Sequence, residues 1–279
     1  MQRTLMRHVF AEGIALFSGE KVSIRLCPAE AHSGIVFQRI DLPHKPLLPA
    51  RSEYVQGTPR CTIIGNGKEC VQTVEHLLAA LCAYGIDNLL IEISGSEVPI
   101  FDGSSMQFVN MIEEGGICEL EEEREWIRLK TPVFWSQGDI HLIAIPSDEY
   151  RITCTVHYPH SKKIGTQFYT FSLDPERFKN EIAPCRTFSI YEEIAPMIEK
   201  GLIKGGSLDN AVVIKEDEVV NPGGLRFSDE MARHKVLDLL GDLSLVPPFR
   251  AHVLAVRSGH TSNNAFAELL SNHIKLENS

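Results

Sequence analysis

"RHKVLDLLGD", residues 233–242, places an apolar stripe and a column of metal-binding residue types on one predicted helix. Val236 and the leucines after it recur at the spacing of a helix that buries one face in a core. His234, Asp238 and Asp242 are spaced i, i+4, i+8, so they lie on successive turns about 6 Å apart along the helix axis. Such a column suits a cation, although taken alone it is more simply a solvated polar face.

The order of elements around this helix predicts the fold class. Upstream, "KVSIRL" and "GIVFQRI" have strand patterns, and "TVEHLLAALCAYG", residues 73–85, has the periodicity of a helix that ends at Gly85. After the acidic segment "EEEREW", residues 121–126, further strand patterns precede the helix of 233–242. Each half thus has strands first and an amphipathic helix late. We expect an α+β fold of two units of similar design, residues 1–122 and 123–279.

The composition is typical of a soluble globular protein. The 279 residues are 43% hydrophobic and 23% charged, which is enough apolar content for the core of one large domain or of two ordinary ones. The net charge of −10 argues against a general nucleic-acid-binding surface, which needs clustered Lys and Arg. It leaves room for one local basic pocket that binds a phosphate.

The cysteines and the apolar runs predict the location of the protein. Seven cysteines are scattered along the chain without a CxxC pair, a pattern of reduced thiols rather than of disulfides or a cysteine-based zinc site. The first twenty residues lack a continuous apolar run, and no stretch has the apolar length of a membrane span. We therefore expect a cytoplasmic protein without an integral membrane segment, which would bind a greasy substrate in a pocket.

Glu75 and His76 stand side by side near the start of the predicted helix 73–85. A histidine ligand beside a glutamate is the arrangement of hydrolytic zinc sites, where one side chain holds the metal and the other takes a proton from water. This segment could therefore supply the third ligand that a metal site on His234 and Asp238 would need from outside their helix. The alternative is that the glutamate only complements the helix dipole.

His260 follows a predicted strand within "RSGHTSNN", residues 257–264, which we expect to be a Gly-flanked loop that leaves the ring accessible. A catalytic His260 needs a carboxylate to hold its tautomer, and Asp242 is the unassigned acid of the column. A loop histidine without a role is the alternative. "DGSS" at 102–105 predicts an Asx turn.

A non-enzymatic binding or scaffold protein is the opposite class of interpretation, in which these histidines and acids are only surface. The metal content of the purified protein, with activity measured before and after chelation, distinguishes the two classes.

Six motifs taken together resemble one known family. "TVEHLLAAL", "FDGSS", "CRTF", "GLIKGGSLDNAVV", "GLRFSDEMARHKVLDLLGDL" and "SGHTSNN" are similar, in order and spacing, to the zinc-dependent UDP-3-O-acyl-N-acetylglucosamine deacetylases of lipid A biosynthesis. The resemblance extends from residue 2 to about residue 270 and is most specific over 220–264. It implies two similar two-layer α/β sandwich domains packed face to face, with the active site between them.

The resemblance also implies a role for each candidate residue. It implies three zinc ligands, which are His76, His234 and Asp238. Glu75 matches the general base and His260 the general acid or electrostatic partner, with Asp242 placed to orient it. Either Glu75 or His260 would protonate the leaving amine. Lys235 matches the lysine that contacts the substrate, and Thr187 the residue near the scissile carbonyl.

A narrow passage for a fatty acyl chain is implied as well. Five residues fall where the family lines it: Phe188, Ile194, Gly206, Ser207 and Ala211. Leu202 and Ile203 would supply further apolar wall. The chain departs from the family at Phe17, where a histidine is usual. The implied partner is a small-molecule acylated UDP-amino sugar that a monomer hydrolyses with release of acetate. The alternative is a zinc amidohydrolase acting on another N-acylated nucleotide sugar.

Overall fold

The structure is a computed structural model that describes residues 1–277. Its strands are β1 (Arg3–Leu5), β2 (Val9–Ile14), β3 (Lys21–Pro28), β4 (Ile35–Arg39), β5 (Leu47–Pro49), β6 (Val55–Gly57), β7 (Ile63–Asn66), β8 (Glu69–Gln72), β9 (Leu89–Ile93), β10 (Ile117–Glu119), β11 (Ile127–Arg128), β12 (Val133–Gln137), β13 (Ile140–Pro146), β14 (Arg151–Tyr158), β15 (Gly165–Ser172), β16 (Phe188–Ile190), β17 (Val212–Lys215), β18 (Glu218–Val219) and β19 (Phe249–Val256). Its helices are α1 (Glu75–Tyr84), α2 (Met106–Gly115), α3 (Pro175–Arg177), α4 (Tyr191–Glu199), α5 (Glu230–Leu243) and α6 (His260–Glu277).

Two sheets with the same strand order form the frame. The first runs β2-β3-β9-β4-β5 and the second β12-β13-β19-β14-β15, with β11 added beside β19. In each sheet the central strand comes last in sequence. It is antiparallel to the neighbour on one side and parallel to the neighbour on the other. The topology is therefore repeated, as the similar order of elements in the two halves predicts.

The sequence pattern of β19 shows how a sheet meets its helices. All eight residues of this strand alternate between buried and partly exposed, from Phe249 to Val256. Because side chains alternate between the two faces of a strand, one whole face is available for packing. Helix α5 packs on β14 and β15, and α6 packs on β12 and β13. The second unit is thus a sheet covered by helices on one face.

Helices α1 and α5 pack against each other and join the two units. Gly241 on α5 makes this approach possible, because a methyl group there would collide with the main-chain carbonyl of Glu75. One continuous core cluster includes buried residues of both sheets and both helices. The predicted α+β fold of two similar sandwiches packed face to face is confirmed.

Most predicted elements are present with nearly the expected bounds, including the helix that ends at Gly85. Gly85 caps α1 with a φ of 66°, a left-handed conformation that glycine adopts without strain. The closing helix α6 begins at His260, so the prediction that His260 lies in a loop is wrong. The structure also contains three short sheets that were not predicted from the sequence: β1-β10, β6-β7-β8 and β16-β17-β18.

The segment between β10 and β11 contains the acidic stretch 121–126 and has no strand or helix. We propose that the boundary between the two domains lies here, between residues 122 and 123. The last two residues of the second predicted domain lie outside the described residues. Of the helices within residues 1–277, none has both the length and the apolar character needed to cross a membrane.

Candidate active site

Three side chains of metal-binding types converge where α1 meets α5. His76 lies in the first turn of α1, and His234 and Asp238 lie one turn apart on α5. Oδ1 of Asp238 is 3.2 Å from Nε2 of His234 and 3.7 Å from Nε2 of His76. One ligand atom from each of the three residues can be chosen so that all lie within 4.8 Å of one another. The three predicted ligands therefore form one group in space.

The chemistry of this group fits a divalent metal. Oδ1 of Asp238 is buried and has no hydrogen-bond donor, while Oδ2 accepts from Nζ of Lys235 at 2.7 Å. Nδ1 of His234 is 3.1 Å from the carbonyl oxygen of Cys185. A carbonyl only accepts, so Nδ1 donates to it and Nε2 faces Asp238, where the neutral ring would offer its lone pair to a metal. Burial lowers the pKa of His76, which favours the neutral form that binds metal.

Three donors of this kind would suit a catalytic rather than a structural metal site. Two imidazole nitrogens and one carboxylate oxygen leave a coordination position for water, whereas structural zinc sites are closed by four protein ligands. Burial raises the pKa of Asp238, but the neighbouring His234 and Lys235 hold it well below its usual value. The carboxylate is thus available as an anionic ligand.

The helix face that carries these residues is buried. His234, Asp238 and Asp242 are each 1% exposed, so the interpretation of the column as a solvated face is wrong. The reason is tertiary: α1, α6 and the second sheet surround α5 on several sides. Buried ionisable groups require partners, and each of these residues has polar or ionisable groups beside it.

Glu75 and His260 face each other beside the three candidate metal ligands. Oε1 of Glu75 is 3.7 Å from Nε2 of His260, and Oε2 of Glu75 accepts the main-chain N–H of Thr62 at 3.1 Å. Burial, reinforced by Asp242 and Asp238, raises the pKa of Glu75 to about 7, although His260 opposes the shift. Burial lowers the pKa of His260, but Asp242, Glu75 and Asp238 overcome this and raise it to about 10.

These two pKa values suit a base and an acid at neutral pH. A carboxyl group with a pKa near 7 can take a proton and return it, and an imidazole with a higher pKa is protonated and can donate. The surroundings of the two residues thus favour Glu75 as the proton acceptor and His260 as the proton donor.

Asp242 holds the ring of His260. Oδ2 of Asp242 accepts from Nδ1 of His260 and from Nδ2 of Asn263, each at 2.9 Å. Oδ1 of Asp242 accepts from Oγ1 of Thr62 at 2.5 Å. The His260 ring is 11% exposed, points Nε2 towards Glu75 and lines the cavity described below, so it is accessible from that cavity and not on an open loop. The pairing with Asp242 is the one that the sequence suggests.

Three further residues beside the site, Asn263, Asn264 and Thr62, were not predicted from the sequence. Asn263 and Asn264 follow His260 at i+3 and i+4, and the helical period after His260 would have placed them beside it. Thr62 carries no such signal, because its contact with Asp242 joins residues 180 positions apart.

A cavity of about 660 Å³ opens beside these groups. Residues of the proposed chemistry line one part of it: Glu75, His76, Thr187, Lys235, Asp238 and His260. Six of the seven predicted passage residues also line it: Phe188, Ile194, Ile203, Gly206, Ser207 and Ala211. Leu202 is 50% exposed and does not belong to the lining. Phe17, Leu16 and Ile100 extend the apolar wall from the first unit.

The segment around Thr187 is fixed by a buried ion pair. Glu230 accepts from the main-chain N–H and the guanidinium of Arg186, and also from the main-chain N–H of Arg226. Glu230 is 1% exposed. The pair therefore ties the "CRTF" segment to the start of α5, and with it the Cys185 carbonyl that binds His234.

The loop before α2 also supports the site. Oδ1 of Asp102 accepts from the main-chain N–H of Ser104 at 3.1 Å, which confirms the predicted Asx turn. Oγ of Ser105 donates to the carbonyl of His76 at 2.8 Å. The start of α1 is thus anchored on this loop.

Comparison with known proteins identifies the family of the chain. Residues 2–272 match the family described as UDP-3-O-acyl N-acetylglycosamine deacetylase. A UDP-3-O-acyl-N-acetylglucosamine deacetylase of Chlamydia pneumoniae is 50% identical over 277 residues, which cover 99% of this chain and 98% of the relative.

The chain belongs to this deacetylase family.

Enzymes of the same name from Chlamydia caviae and Chlamydia trachomatis are 48% and 47% identical, each over 265 residues. These matches cover 95% of this chain and 94% and 92% of the two relatives. The family that the six motifs resemble is therefore confirmed. The family match at residues 2–272 includes both units and the segment that joins them.

Proposed function

We propose that the protein is the zinc-dependent enzyme that hydrolyses the acetamide of UDP-3-O-acyl-N-acetylglucosamine and releases acetate, a step of lipid A biosynthesis. The predicted deacetylase activity is confirmed at the level of the family. One observation carries the assignment to this site: the unpartnered Oδ1 of Asp238 lies between the Nε2 atoms of His76 and His234, beside Glu75 and His260.

The metal site would consist of His76, His234 and Asp238. Zinc bound there supplies a Lewis acid and lowers the pKa of water to near neutrality. Lys235 donates to the other oxygen of Asp238 and fixes the orientation of that carboxylate. Cys185 fixes the ring of His234 through its carbonyl.

The proton transfers would use the two groups with opposed pKa shifts. Glu75 accepts a proton from the attacking water, because its raised pKa lets a buried carboxylate act as a base near neutral pH. His260 is held protonated by Asp242 and stabilises the negative charge that develops on the substrate, or protonates the leaving amine. Thr187 lines the cavity near these groups and would contact the scissile carbonyl.

The substrate's acyl chain would occupy the apolar part of the cavity. Phe188, Ile194 and Ile203 supply apolar surface, and Gly206 and Ala211 leave space between them. Burial of a hydrocarbon chain is worth about 0.8 kcal/mol per methylene as a ceiling. A lined cavity of this kind would let the enzyme distinguish an acylated from an unacylated sugar. The cytoplasmic location and the monomeric state stay predictions.

Two measurements test the proposal. Glu75→Gln should keep its metal and lower kcat by on the order of 10²–10⁴, the range expected for a positioned base. The matched control is Glu114→Gln, which changes an exposed carboxylate on α2 and should leave kcat unchanged. Acetate release should be much faster from the acylated than from the unacylated UDP-N-acetylglucosamine. Equal rates on the two sugars would contradict acyl recognition and favour another N-acylated nucleotide sugar as substrate.

A further inference from the structure

Thr62 connects the two proton-transfer groups across the interface of the two units. It lies directly before β7 in the first unit, is 0% exposed, and stands outside the motifs that resemble the family. Its main-chain N–H donates to Oε2 of Glu75 at 3.1 Å, and its Oγ1 lies 2.5 Å from Oδ1 of Asp242. One residue therefore contacts the base directly and the acid through its carboxylate partner.

The direction of these hydrogen bonds follows from the donors that are present. Nδ2 of Asn264 lies 2.9 Å from Oγ1 of Thr62, and an amide NH₂ only donates. The hydroxyl of Thr62 accepts this bond and is left to donate its own hydrogen to Asp242. The same NH₂ donates to the carbonyl of His260 at 2.9 Å. Thr62, Asn264, His260 and Asp242 thus form a closed ring of contacts.

Both carboxylate oxygens of Asp242 are held by hydrogen-bond donors, and this gives the ring of contacts its effect. Oδ2 accepts from His260 and Asn263, and Oδ1 accepts from Thr62. A carboxylate held by donors on both oxygens cannot rotate without breaking a buried hydrogen bond. The rotation of the carboxylate sets the position of the His260 ring, and hence the distance from its Nε2 to Glu75.

We propose that Thr62 is a positioning residue of the reaction, whose hydroxyl locks Asp242 and thereby His260 relative to Glu75. The inference rests on the proposed function, because it takes Glu75 and His260 as the proton-transfer pair. Thr62 belongs to the first unit with Glu75, whereas Asp242 and His260 belong to the second. The hydroxyl therefore fixes the position of Asp242 and His260 in the second unit relative to Glu75 in the first, where both proton transfers would occur.

Thr62→Val tests the role of the hydroxyl, because valine keeps the shape and the main-chain N–H to Glu75 but removes the donor to Asp242. We expect kcat to fall on the order of tenfold, the effect of one lost buried hydrogen bond on a transition state. KM and the zinc content should stay unchanged. Thr62→Ser should restore kcat to near the wild-type value.

The matched control is Thr4→Val. Thr4 is also buried, at 4% exposure, and its hydroxyl accepts the main-chain N–H of Ala29 at 3.0 Å in β1, outside the cavity lining. This variant should lower the melting temperature without changing kcat. A loss of kcat in Thr4→Val equal to that in Thr62→Val would mean that both act only through stability, and the proposal would be overturned.

A double-mutant cycle with His260→Ala decides whether the hydroxyl acts through the ring. In the His260→Ala background, Thr62→Val should cause no further loss of kcat, because the group that it positions is absent. The same tenfold loss in both backgrounds would overturn the proposal.

If Thr62→Val is fully active while Glu75→Gln and His260→Ala are impaired, only this inference fails. Full activity of Glu75→Gln and His260→Ala would overturn the proposed function and this inference together.

Discussion

Replacing Glu230 with glutamine should destabilise the protein far more than the same change at a surface ion pair. Glu230 and Arg186 are joined at 2.9 Å, with side-chain exposures of 1% and 9%. The carboxylate also accepts the main-chain N–H groups of Arg186 and Arg226. Glutamine keeps one oxygen acceptor but removes the charge, which leaves the guanidinium buried without its counter-ion.

The magnitude follows from that burial. Removing one partner of a buried ion pair costs about 3–5 kcal/mol, because the remaining charge is left uncompensated. For a chain of this size, each kcal/mol lowers the melting temperature by about 2–4 °C. We therefore expect Glu230→Gln to lower the melting temperature by about 6–20 °C in metal-loaded protein.

The effect should depend on pH. Burial raises the pKa of Glu230, but the hydrogen bonds from Arg186 and from the main chain outweigh this and keep the pKa below its usual value. A depressed carboxyl pKa stabilises the fold above the unfolded value, about 4.3 for glutamate, and this contribution is lost as pH falls through the folded value. The difference in melting temperature between wild type and Glu230→Gln should be constant above about pH 5.5 and shrink below pH 4.3.

The matched control is Glu119→Gln. Glu119 pairs with Arg3 at the same 2.9 Å, but the two side chains are 57% and 39% exposed. An exposed ion pair contributes about 0–1 kcal/mol, so this variant should melt within about 4 °C of wild type. Scanning calorimetry on the wild type and both variants measures the shifts. Equal shifts for Glu230→Gln and Glu119→Gln would refute the reasoning from burial.

Two further predictions concern the metal and the acyl chain. Asp238→Ala and His76→Ala should each lose activity and bound zinc, with the zinc measured by mass spectrometry. The control His44→Ala changes an exposed histidine and should keep both. Full zinc in either site variant would exclude that residue as a ligand. Ser207→Trp should keep zinc and raise KM for the long-acyl substrate while little affecting the slow reaction of an unacylated analogue. A proportional loss on both substrates would place the acyl chain elsewhere.

Local sequence patterns determined the elements that carry the site. The i, i+4 spacing of His234 and Asp238 places both on one helix face whatever surrounds the helix, because 3.6 residues complete a turn. Gly85 ends α1 for a similarly local reason, since it adopts a positive φ without strain. The Asx turn at Asp102 needs only the two residues that follow it. Such features depend only on residues within about one turn along the chain, so they can be predicted from the sequence.

Only the tertiary structure decided what these elements face. The column on α5 is buried because α1 and α6 pack around it, and periodicity within one helix carries no information about that packing. His260 begins a helix rather than lying in a loop, and its carboxylate partner is 18 residues away in sequence. Thr62 reaches Asp242 across 180 residues and from the other unit, close to the point where Gly241 lets α1 and α5 approach each other. Contacts between distant residues follow from the packing of whole faces, and no local pattern in either segment encodes them.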